Sequence, residues 1–246
     1  EKEFLGHTGN FDGEEIIDII LSKPVTAQFI ARHLYSFFVS DEPQVPAWSV
    51  TSPGDPEAIS FIADALIDSD YHMGIVLKKI FNSTFFKAQR FSRVKNPTEV
   101  VIGTLRLVGG TNRPSPETLD WTGQIAHMGQ DLLNPPSVEG WHNGTEWINS
   151  GTLMKRTNFI SKLISDTRRP GVRAIIDRVK FAGTNPEVVV NACLDIMGPM
   201  EVSQETLLEL IEHVKKEGDF NWDTSGEGRL IELLQLLVST REYQFA

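Results

Sequence analysis

Four X-Pro dipeptides constrain this chain more than any other feature. Asp55-Pro56, Asn96-Pro97, Ser115-Pro116 and Asn185-Pro186 each set a side-chain acceptor directly before proline. The acceptor satisfies an orphan N–H of a helix's first turn, and proline at the first helical position gives up only an N–H that had no partner there. Asp12 with Glu15, and Asn96 with Glu99, add the spacing of reciprocal capping boxes. Apolar residues then recur near every third or fourth position. That rhythm predicts helices over about 13–22, 25–39, 56–69, 73–83, 97–108, 116–129, 152–165, 171–179, 186–197, 203–217 and 227–239. Val25, Phe29, Ile30, Leu34, Phe37 and Phe38 cover a broad face and read as a central core helix. Leu230, Ile231, Leu233, Leu234, Leu236 and Leu237 read the same way. Strand alternation is nearly absent, with Trp147-Ile148 the best candidate for a short extended piece. The expected fold class is all-α, an irregular bundle of about ten to eleven helices. Two long loops interrupt it, over 40–55 and over 130–151, and loops of that length inside a compact domain are often functional.

Composition narrows the function classes. The 246 residues can bury a core without disulfides or metal, and 40% hydrophobic with 23% charged residues is ordinary for a globular protein. A formal charge of −10 disfavours nucleic acid or an anionic membrane surface as the main partner. No apolar run reaches the roughly 18–20 residues of a transmembrane segment. The single cysteine, Cys193, cannot form an internal bridge. Charge is uneven: residues 155–180 hold Lys155, Arg156, Lys162, Arg168, Arg169, Arg173, Arg178 and Lys180 against two Asp, a net of +6. That stretch either lies against acidic neighbours of the same molecule or faces an anionic partner.

Motifs that name a reaction are missing. There is no Gly-x-Ser-x-Gly elbow, no phosphate-cradling loop with Lys, no His-Glu-x-x-His and no Cys pair. Asn10, Asp12 and Gly13 imitate part of a calcium loop, but Ile19 stands where the closing carboxylate is needed. Asp219, Asn221, Asp223 and Ser225 do likewise, with Leu230 at the closing position. The latter reads as an acidic turn before the last helix. Six histidines show no metal-ligand spacing, and His33 reads as a satisfied polar group at the edge of a helix face. No catalytic residue, metal or cofactor is assigned.

The stretch from Gln130 to Phe159 is the most informative for function. Prolines stiffen its entry, glycines permit close backbone approach, and Trp141 and Trp147 bracket a polar run. The two indoles could line a concavity in which Glu139, His142, Glu146, Asn149 and Asn158 offer hydrogen bonds and Arg156 a planar cationic fork. Equally, both indoles could be core anchors that pin the loop.

The same region carries a resemblance. Pro135-Pro136-Ser137-Val138 leading to Gly140-Trp141, then Trp147-Ile148-Asn149, Thr152-Leu153, Arg156 and Asn158-Phe159, resembles the signature of a large bacterial family known as domain of unknown function 1800. Phe4-Leu5-Gly6 with Gly9-Asn10-Phe11-Asp12-Gly13, Phe29-Ile30-Ala31-Arg32, Val94-Lys95 with Pro97 and Glu99, and Leu237-Val238-Ser239-Thr240-Arg241-Glu242-Tyr243 are similar to further stretches of it. The resemblance implies an exported bacterial protein, periplasmic or associated with the cell envelope, frequently encoded beside an exported sulfatase-like protein. It also implies a chain about twice as long, of which this is the C-terminal half, so that a missing N-terminal half would be a natural partner. Residues 1–165 are then expected as a helical core carrying the family-like motifs, with 166–246 a helical segment packing on it, or the two as one continuous domain. The expected function is a binding or assembly module acting with an envelope partner or polymer. The alternative is a hydrolase of envelope glycans or esters, with Glu139, Glu146 or Glu99 as carboxylate and Arg156 as anion clamp.

Overall fold

The computed structural model describes residues 1–110, 117–198 and 200–245. Among them are twelve α-helices and one small two-stranded sheet, with helix over 63% of the chain, so the fold is all-α. No helix among the described residues is long and apolar enough to cross a membrane. The chain folds as two compact units, Glu1–Arg93 and Val94–Ala246, each with its own core.

The first unit opens with an antiparallel hairpin, β1 (Lys2–Phe4) and β2 (His7–Gly9), turned by Leu5 and Gly6 at φ 47° and 84°. Helix α1 (Gly13–Leu21) starts at the expected capping box: Asp12 Oδ1 accepts from Glu15 N at 3.0 Å and Glu15 Oε2 accepts from Asp12 N at 2.9 Å. Then come α2 (Pro24–Phe38), α3 (Pro56–Asp68), α4 (Met73–Asn82) and the short α5 (Thr84–Ala88). Asp55 Oδ1 caps α3 by accepting from Ala58 N at 2.9 Å. The buried face of α2 differs from the expected one. Val25 and Phe37 are 68% and 67% exposed, whereas Ala27, Ala31, Arg32 and Tyr35 are buried. Small residues decide it: Ala27 and Ala31 meet Ala58, Ile59, Ile62 and Leu66 of α3, and alanines on both helices permit close approach.

The 40–55 loop is pinned to α2 by a buried ion pair. Arg32 Nε donates to Glu42 Oε2 at 2.7 Å and Nη1 donates to Thr51 O at 3.0 Å. Glu42 Oε1 accepts from Gly54 N at 2.7 Å. The guanidinium also lies 4.6 Å from the centre of the Trp48 ring. His33 sits between Phe29 and Trp48, with ring centres 4.6 and 4.7 Å away, and burial lowers its pKa.

The second unit holds α6 (Pro97–Val108), α7 (Glu117–His127), α8 (Ser150–Ile164), α9 (Pro170–Ala182), α10 (Pro186–Ile196), α11 (Gln204–Lys215) and α12 (Gly226–Ser239). The Asn96 and Asn185 caps form as expected, while the Ser115-Pro116 start lies outside the described residues. Leu230, Leu233, Leu234 and Leu237 of α12 are buried as expected, whereas Ile231 is half-buried and Leu236 is exposed, so the buried stripe is narrower than the expected one. Trp147 ends a 3-10 turn, Gly144–Trp147, and Ile148 beyond it is extended. Helix α8 packs against α6, α7 and α12. Ile160 and Ile164 of α8 share one core with Val172 and Ile176 of α9. The division between the units therefore falls between Arg93 and Val94, and residues on both sides of 165 belong to a single core. Arg229 of α12 ties the 219–225 turn to the end of α11. Its Nη1 donates to Asp219 O at 3.0 Å and its Nη2 to Val214 O at 2.8 Å.

Candidate functional site

The Trp-bearing loop is largely a scaffold for α8. Trp147 is 5% exposed, and Thr152 Oγ1 donates to its carbonyl at 2.9 Å. Gly129, at φ 107°, passes beneath the Trp147 ring. Asn149 is the N-cap of α8, accepting from Thr152 N at 2.9 Å while Thr152 Oγ1 accepts from Asn149 N at 2.9 Å. Trp141 is half-buried and its Nε1 donates to Asp131 O at 3.1 Å, closing a ten-residue excursion. His142 and Glu146 are exposed and pair with each other at 3.1 Å. Glu139 is exposed, its backbone N–H donating to Ser137 Oγ at 3.2 Å.

Arg156 also faces inward. It is 0% exposed, and its Nη1 donates to Lys95 O at 2.7 Å. Lys95 in turn bonds the chain's other end: its Nζ donates to Tyr243 O at 2.8 Å and its backbone N–H to Gln244 O at 2.8 Å. Burial pushes the Arg156 guanidinium down to about 10, with Glu99 opposing, and burial lowers the Lys95 ammonium as well. Glu99 itself is held in the cap of α6, where it accepts from Asn96 N at 2.7 Å. Of the expected ligand set, His142 and Trp147 meet edge to face with ring centres 6.1 Å apart, while Asn149 and Arg156 bond elsewhere. Trp147 and Asn149 serve packing and capping; Arg156 is buried with Nη1 on Lys95 O and with Nε and Nη2 unbonded among the described residues; His142 and Glu139 are exposed and Trp141 is half-buried.

Asn158 is placed differently. It is exposed on α8 and lines a cleft of about 420 Å³ between α7 and α8. Along α8, Lys155, Asn158, Phe159 and Lys162 follow one another at helical spacing and form one stripe. Helix α7 supplies Asp120, Trp121 and Gln124, and Arg169, the residue before α9, stands at the same cleft. Its size lies in the roughly 300–1,000 Å³ range of small-molecule sites. Three cations and one carboxylate line it, on a chain whose net charge is −10. Lys155 Nζ donates to His127 O at 3.0 Å, and Arg169 Nε lies 3.7 Å from Asp166 Oδ2. Among the described residues, the ammonium of Lys162 and the side-chain amides of Gln124 and Asn158 have no hydrogen-bond or ion-pair partner.

The basic stretch is divided: Arg156 is buried, and Arg169 both lines the cleft and lies near Asp166. Arg168 pairs with Asp166 and Arg173 with Glu227, each at 2.8 Å, so part of it is neutralised internally. Lys155, Lys162 and Arg169 converge on the cleft. Of the residues lining the cleft, Asn158 belongs to the ligand set expected from the sequence, and Trp121, Gln124, Lys155 and Lys162 do not. The available signal was the spacing of Lys155 and Lys162, two helical turns apart with an amide and a ring between. No group of three or more His, Cys, Asp or Glu among the described residues is placed to hold a metal ion. Neither a curated protein nor a solved structure matches the chain. Residues 1–245 match the family described as Protein of unknown function (DUF1800).

Proposed function

Because the chain belongs to the DUF1800 family, whose description leaves the activity open, we propose that it is a non-catalytic helical binding module whose ligand is held in the α7–α8 cleft. One observation carries this reading. The cleft collects side-chain N–H groups of Gln124, Asn158 and Lys162 that the described residues leave without acceptors, beside the rings of Trp121 and Phe159. Donors held on packed helices beside aromatic surface suit recognition of a polar ligand. The three candidate carboxylates for hydrolysis sit elsewhere: Glu99 in a cap, Glu146 against His142, and Glu139 on the outer loop. The resemblance to exported bacterial proteins supports a place in the periplasm or cell envelope, with an envelope polymer as ligand or an exported sulfatase-like protein as partner.

The test incubates the purified chain with envelope glycans and with ester substrates, reading binding by calorimetry and product by mass spectrometry. Binding that Asn158→Asp weakens, without product, is the expected result. Product formation that Glu146→Gln or Glu139→Gln abolishes would replace the binding module with a hydrolase.

A further inference from the structure

Resting on the binding-module reading, we infer that the α7–α8 cleft selects an anionic sugar: a saccharide with a carboxylate or phosphate that reaches Lys162 while its rings lie along Phe159 and Trp121. Four features of the cleft specify that chemistry.

The first is charge. Lys155, Lys162 and Arg169 outnumber the single carboxylate, Asp120, although the chain as a whole is acidic. A concavity lined mainly by cations attracts an anion. The second is length. Lys155 and Lys162 are seven residues apart, about 10.5 Å along a helix at 1.5 Å per residue. A lone phosphate cannot bridge that distance, so a ligand using both ends is elongated. The third is the floor between them. Phe159 and Trp121 are half-buried and packed on the core, so their rings are held still. Aromatic faces accept the C–H side of a sugar ring and gain apolar burial without needing a hydrogen-bonded partner. The fourth is the polar edge. The amides of Gln124 and Asn158 can donate and accept, and Asp120 can accept, which suits the mixed donor and acceptor character of sugar hydroxyls. A nucleic acid strand would meet the repulsion of a chain whose net charge is −10, and an apolar ligand would leave the cations unused.

The experiment titrates the full chain with trigalacturonate, glucose 6-phosphate, neutral galactotriose and inorganic phosphate, following heat and tryptophan fluorescence. Trp121→Phe assigns the optical change, since the ring persists while the indole signal is lost. Lys162→Glu tests the anion contact at an exposed position, and Lys180→Glu makes the same charge change outside the cleft. We expect trigalacturonate or glucose 6-phosphate to bind at least tenfold more tightly than galactotriose. Lys162→Glu should weaken binding of the preferred probe about tenfold, the effect of losing roughly one charge-assisted contact, and Lys180→Glu should not. Which of the two acidic probes is preferred separates a carboxylate from a phosphate ligand. Equal binding of galactotriose, binding of inorganic phosphate as tight as that of the sugars, an unaltered Lys162→Glu variant, or no binding by any probe would each overturn the inference. Equal galactotriose binding that Trp121→Phe makes optically silent would leave the binding module standing. Turnover of a probe would remove that module while leaving the charge preference intact.

Discussion

At the scale of single residues, burial has set the ionisation of groups that no site uses. Cys193 is buried in the second core, and burial pushes its thiol up to about 12. An unfolded thiol ionises near pH 8.5–9. Above that pH the unfolded chain releases a proton that the folded chain keeps, so the unfolded state gains. This contribution to stability is fully present below about pH 9 and is lost progressively as pH rises toward 12. Tyr243, also raised to about 12 by burial, acts in the same direction above its ordinary value near 10. Urea midpoints measured at pH 8 and pH 10.5 should therefore fall for the native chain and fall less for Cys193→Ala. Parallel declines in the two proteins would show that the thiol is not linked to folding. The same logic makes Cys193 inert to thiol reagents until the chain unfolds.

At the scale of elements, one backbone approach governs how α6 and α9 meet. A Cβ added at Gly171 would lie 2.1 Å from Leu107 O and 2.6 Å from Val108 C. Both are main-chain atoms at the end of α6, and they cannot swing aside as a side chain could. Gly171→Ala should thus cost about 3 kcal/mol or more by forcing the helices apart, at the upper end of overpacking penalties. Gly103→Ala, on α6 with nothing within 4 Å of the added Cβ, is the matched control and should be neutral or slightly stabilising. A Gly171→Ala protein with an unchanged melting temperature would mean that the two helices do not pack this closely. Elements were also the level most legible in the sequence. Asp12 with Glu15, and Asn96 with Glu99, act within one turn, so their spacing alone located the starts of α1 and α6. The face that α2 buries depends on the alanines of α3, and that partner is not written in α2. The three-residue strands β1 and β2 are too short to establish an alternation, and the five-residue α5 too short for a helical period. The cleft was illegible for a related reason: Trp121 and Lys162 become neighbours only when α7 and α8 pack.

At the scale of the whole molecule, all of the described buried apolar residues except Val94 and Trp147 fall into two sets. One runs from Ala27 to Ile80 and the other from Val100 to Tyr243. Separate cores favour separate cooperative melting, because cooperativity follows shared burial. Calorimetry should resolve two transitions, and Gly171→Ala should lower only the one belonging to residues 94–246. A single transition displaced as a whole would show that the two units melt together. The second unit has its own closure as well. Val94 and Phe245 form an antiparallel bridge, and Lys95 and Arg156 tie that seam to α8. Since Val94 and Phe245 are side by side, residues 94–245 could be rejoined head to tail through a short linker and reopened at the exposed 131–139 stretch. Such a circular permutant would retain the helices and the cleft in a new chain order.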